Sequence, residues 1–105
     1  MAWLHLGLAG LLEVAFALCL QASAGFTRPA WVVATAVSGL ASFYLLSLAL
    51  RTLPVGTAYA VWTGIGAAGV AFVGLVVKGE PATPLRLAAL TLIVAGVAAL
   101  RLAGE

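Results

Sequence analysis

The chain has 105 residues, 65% of them hydrophobic and 8% charged, whereas a soluble domain carries about 25% charged residues. Lipid is the solvent this composition fits, and spans of about 20 apolar residues each use up nearly the whole length, leaving no room for a soluble domain. The formal net charge of +2 comes from five scattered basic residues, Arg28, Arg51, Lys78, Arg86 and Arg101, against three acidic ones; with no basic run or stripe, nucleic acid is not an expected partner.

The first span covers residues 2–20, interrupted by His5 near the membrane edge and by Glu13 near its middle. It begins after Met1 with no basic leader and is expected to be retained rather than cleaved. Cys19 is the single cysteine, has no partner for an intramolecular disulfide, and reads as a small buried hydrophobe. The polar run QASAGFTRP then ends the helix. The second span, residues 30–50, holds no charge but contains Ser38, Ser42 and Ser47. A serine in lipid commonly bonds back to its own helix; Ser42, at mid-span, is the one placed to orient Glu13. Pro54 and Gly56 mark a tight second connection. The third span, residues 55–77, is uncharged and dense in glycine, with Gly64, Gly66, Gly69 and Gly74. The Gly64-Ile65-Gly66 step reads as a bend, and Ala60, Gly64 and Ala68 form a small-residue face for close helix contact. KGEPATP makes the third turn. The fourth span, residues 85–102, has Arg86 and Arg101 at its two ends, placed to snorkel. Ala89 and Gly96 lie seven residues apart on one face, a candidate dimer seam. The fold class is therefore all-α integral membrane, one four-helix domain over residues 1–105, located in the cell membrane.

Topology is weakly specified. Arg51 and Arg101 fall on the side of the termini; Arg28, Lys78 and Arg86 fall on the other. So even a distribution leaves two readings of the positive-inside rule: a weak signal resolved by the insertion machinery, or a chain that inserts both ways and pairs with an inverted copy.

Glu13 is the acidic residue inside a span, and an acidic side chain at a helix centre costs about 2.5–3.5 kcal/mol to insert. No basic residue lies in a span interior to pair with it. Removal from water disfavours a carboxylate's charged form, so such a group can hold a proton or release it to hold a cation. If one site cannot hold both, proton entry drives cation exit. Gly10, Phe16, Ala17 and Leu20 share the helix face of Glu13. Gly10 is expected to leave space beside the carboxylate and Phe16 to wall it. Tyr59 and Trp62 lie one turn apart on the third span; Tyr59 can donate a hydrogen bond, and Trp62 can offer a ring face to a cation or an N–H. Trp3 and Trp31 sit at span ends and read as interfacial belt residues. Four short helices cannot both enclose a cavity and seal it, so a dimer that places two copies of Glu13 around shared space is expected. A proton-carrying subunit of a rotary ring is the alternative that also uses one buried carboxylate, but it gives Tyr59 and Trp62 no role. A structural or lipid-handling partner chain is a further alternative. No enzymatic activity, cofactor or metal is expected.

The blocks LLEVAFALCLQASAGFTRP, SGLASFYLLSLAL and LPVGTAYAVWTGIGAAG resemble the small multidrug resistance transporters, and the resemblance covers essentially the whole chain. The last block and Gly10 resemble the guanidinium-exporter subtype. The resemblance implies a dimer of two oppositely oriented copies and proton-coupled antiport of guanidinium-like or small quaternary ammonium cations by alternating access. It implies that Glu13 is the shared proton and substrate site, with Ser42, Tyr59 and Trp62 supporting the carboxylate or lining the pocket. It also implies that Gly64 and Gly66 are the bend and that Ala89 with Gly96 is the seam. Typical guanidinium exporters carry Trp where this chain has Phe16 and Lys where it has Gln21. Phe16 has no indole N–H to donate, so the network around Glu13 differs, and one half of a heterodimer of related chains is the alternative assembly.

Overall fold

The computed structural model describes residues 1–103. Four α-helices follow one another: α1 (Ala2–Ala22), α2 (Pro29–Ala49), α3 (Val55–Val76) and α4 (Pro84–Ala103). All four are long and apolar enough to cross a membrane. At 1.5 Å per residue a helix of about 20 residues spans about 30 Å, the thickness of the hydrocarbon core.

The turns are built from the punctuation the sequence carries. Ser23 closes α1: its hydroxyl donates to the Leu20 carbonyl at 2.7 Å and accepts the Phe26 N–H at 3.2 Å. Ala24, Gly25 and Phe26 then take φ of 51°, 72° and 66°, a left-handed run that reverses the chain in a few residues and is costly for the two that carry a Cβ. Pro29 occupies the first turn of α2, where its missing N–H costs nothing. Gly79, at φ 69°, turns the chain out of α3, and the Thr83 hydroxyl accepts the Arg86 N–H at 3.2 Å at the start of α4.

Most hydroxyls are satisfied locally, as a low-dielectric solvent requires. Thr35, Ser38, Ser47, Thr63 and Thr91 each donate to a carbonyl of their own helix.

α1 lies between α2 and α3, while α4 packs on α3. The result is a slab with extents of 42 × 35 × 16 Å. The apolar core joins Leu6 and Ala9 of α1 to Leu46 and Ala49 of α2 and to Ala58, Val61 and Trp62 of α3. All of these lie toward the face that holds the termini and the second turn. At that face the Arg101 guanidinium sits over the Trp3 ring, 4.7 Å from its centroid, fastening the end of α4 to the start of α1. Trp3 therefore does more than mark the membrane boundary.

Small residues set how closely the helices approach. A Cβ on Gly64 would stand 2.5 Å from Val97 of α4, and one on Gly10 would stand 2.6 Å from Ile65 of α3. Both glycines are places where a neighbouring side chain occupies the room of a missing methyl. α3 runs as an unbroken helix through Gly64 and Gly66. Ala89 and Gly96 of α4 are exposed, and α4 buries none of its residues within the chain.

Candidate functional site

Glu13 sits midway along α1 and leans its carboxyl group against α3 at Gly66, where any side chain would occupy the same space as Oε1. That oxygen is buried and has no hydrogen-bond partner among the described residues. Leaving a buried polar atom unpaired costs about 1–3 kcal/mol, more for a charge, so the arrangement demands either a proton or a ligand.

Two spaces meet at this carboxyl. One is a small cavity of about 50 Å³ lined by Glu13, Phe16, Gly39, Ser42, Phe43 and Trp62. The other is an open groove of about 450 Å³ between α1 and α3, running from Glu13 and Gly66 past Ala67 and Ala71 to Glu80 in the third turn. Aromatic rings wall the small cavity. The Trp62 ring lies 5.8 Å from Phe43 and 5.5 Å from Tyr59, tilted to each by 54° and 50°, within the range of favourable ring contacts.

Two sequence expectations change here. Ser42 does not bond Glu13. It donates to the Ala9 carbonyl at 2.7 Å and accepts the Trp62 indole N–H at 2.9 Å, because the buried face of α2 brings it against α1 one turn before Glu13. The indole N–H is thereby committed within the chain, and Trp62 presents its ring rather than its donor. Gly10 is buried against Ile65, so it lets α3 approach rather than leaving a void beside the carboxylate.

Phe16 does border the site, with its ring laid on Gly39, where a Cβ would come 2.7 Å from Cδ1. Tyr59 stacks on Trp62 but is 57% exposed within the chain, and its hydroxyl makes no bond to Glu13. Gly39, Phe43 and Glu80 are site residues that sequence reasoning missed. Gly39 and Phe43 stand three before and one after Ser42 on α2, and that spacing was the available signal. Glu80 lies in a turn, and only the fold brings it to the groove. Among the described residues no group of His, Cys, Asp and Glu could hold a metal ion.

Fold and site together define a small multi-pass membrane protein built around one carboxylate at mid-membrane. The sequence model of the family described as Small Multidrug Resistance protein matches residues 1–93. Over 102 residues, covering 97% of both chains, the protein is 53% identical to the guanidinium exporters of Citrobacter freundii and Salmonella typhimurium. It is 52% identical over the same span to the guanidinium exporter of Escherichia coli strain K12. The chain belongs to the small multidrug resistance family.

Proposed function

We propose that the protein is a transporter and not an enzyme: a proton-coupled antiporter that exports guanidinium-like or small quaternary ammonium cations by alternating access. The observation that carries this reading is the buried, partnerless Oε1 of Glu13 at the junction of an aromatic cavity and a groove open to one surface. The names of the relatives point to guanidinium as the cation. Guanidinium is planar and permanently charged, and a carboxylate can accept two parallel N–H bonds from it. Trp62, Phe16 and Tyr59 would then pack on its faces.

Because a proton and a cation compete for the same oxygen atoms, binding one expels the other. The working unit is a homodimer of inverted copies, in which the exposed flank of Tyr59 and the outer face of α4 at Ala89 and Gly96 are covered by the second chain. A heterodimer with a related chain would serve the same geometry. Gly64 and Gly66 are where α3 would flex as the groove changes sides.

The direct experiment uses purified protein in liposomes. An outward guanidinium gradient should drive proton movement in the opposite direction, and Glu13→Gln should abolish it while the protein still folds. Coupled exchange retained by that variant would reject the reading.

A further inference from the structure

Glu80 closes the surface end of the groove that Glu13 closes at its depth. It is held there by two contacts. Its backbone N–H donates to the Gly74 carbonyl at 3.0 Å, and its carboxyl lies over the bare Cα of Gly74, where a Cβ would come 2.5 Å from Oε1. The same oxygen pairs with the Arg86 guanidinium at 3.1 Å, with the two side chains 45% and 41% exposed. Arg86 also reaches the Pro81 carbonyl at 3.5 Å.

Chemically this pair is the proposed transport complex in miniature, a guanidinium on a carboxylate, with the guanidinium supplied by the protein. Gly66 and Gly74, which seat the two carboxyls, are separated by about 12 Å at 1.5 Å of rise per residue. A groove with apolar walls and one sign of charge at each end focuses its field along its length. We infer that Glu80 is the outer collecting residue of the transport path, which draws cations to the groove mouth, and that Arg86 occupies Glu80 until an incoming guanidinium-type cation displaces it. This rests on Glu13 being the transport site and adds the step before it. A free carboxylate at the mouth raises the local cation concentration; an arginine-clamped one raises it less. The two side chains therefore act with opposite sign.

The test is guanidinium-driven proton exchange in liposomes, measured at ionic strengths of about 10 mM and about 500 mM, where the screening length falls from about 30 Å to a few ångström. Glu80→Gln should lower kcat/KM three- to tenfold at low ionic strength, and the difference should vanish at high ionic strength. Equilibrium guanidinium binding by the same variant, measured at about 0.15 M ionic strength, should shift by less than about twofold, because the Glu13 site then lies beyond the screening length of about 8 Å. Arg86→Gln should raise kcat/KM at low ionic strength. If Glu80→Gln leaves kcat/KM unchanged there, or if both variants lower it, the pair is only a clasp on the third turn and the inference is overturned. Wild-type protein that exchanges no protons for guanidinium would remove the Glu13 reading itself. Wild-type exchange with variants that do not differ would remove only the role of Glu80.

Discussion

Trp62 can offer a ring face because Ser42 takes its N–H. Ser42 is 1% exposed, and its hydroxyl makes one bond to each neighbouring helix. In Ser42→Ala the indole N–H is buried without an acceptor, a loss of about 1–3 kcal/mol, and the ring is free to turn. We expect reduced unfolding stability together with weaker cation binding, read by denaturant titration in detergent alongside ligand titration. Trp62→Ala should weaken binding further, and unchanged affinity would demote the ring to packing. Competition at Glu13 sets the sign of the pH effect: protons exclude the cation, so the apparent Kd for guanidinium should rise as pH falls. In Glu13→Gln no such slope should remain, which isothermal titration across a pH series would show. The mid-helix position of Glu13 and its lack of a basic partner were legible in the sequence, because no Lys or Arg lies in a span interior. The hydroxyl network was not. Composition places a serine at mid-span, but only helix rotation decides whether it meets a carboxylate or, as here, a backbone carbonyl.

At the level of the helices, glycine decides distance. Gly66 lets the Glu13 carboxyl lie on α3, and Gly64, two residues earlier, lets Val97 of α4 do the same. Gly66→Ala should favour the helix by up to about 1 kcal/mol on propensity alone, yet it must push the carboxyl away. We expect retained or higher helix stability with guanidinium affinity reduced at least tenfold, a split that circular dichroism and ligand titration would reveal together. Gly39→Ala should displace the Phe16 ring into the small cavity and so select against bulkier cations before guanidinium, measured with a panel of alkylated guanidinium and tetraalkylammonium ions. The spans themselves were readable from hydropathy, and the turns from Pro and Gly. The sequence placed the first helix at residues 2–20, whereas it continues to Ala22, because Gln21 and Ala22 keep helical bonding until Ser23 ends it. What density of glycine could not say is which neighbour each one admits. Gly10 read as space beside Glu13, but the space belongs to Ile65 of a helix more than fifty residues away in the sequence.

For the whole molecule, the slab form leaves large rings and aliphatic chains outward, among them Phe43, Tyr44 and Tyr59. Some of that surface meets lipid, and the proposed partner copy covers the rest. If the balanced basic residues let the chain insert both ways, as the proposed inverted pair requires, imbalance should forbid one orientation. Thr52→Lys with Leu102→Lys adds charge to the face of the termini. We expect it to fix one orientation, lower transport in cells, and regain it only when a copy biased the opposite way is co-expressed. Protease or thiol-reagent access from one side would report the orientation. The proposal of an inverted pair comes from the charge count and the shortness of the helices, and its contact surface cannot be read from a single chain.

The hydroxyls that close on their own helices have a mechanical consequence. Thr35, Ser38, Ser47, Thr63 and Thr91 spend their hydroxyls on their own helices, so the polar ties between helices fall elsewhere, at Ser42 in mid-membrane and at Arg101 over Trp3 near one surface. Ser42, tied at once to Ala9 and Trp62, is a stitch about which we expect the helices to turn. Rotation about that stitch would swing the lower reaches of α1 and α3 apart or together, much as scissor blades turn on a rivet, and the rivet stands within a turn of the acid whose exposure must alternate.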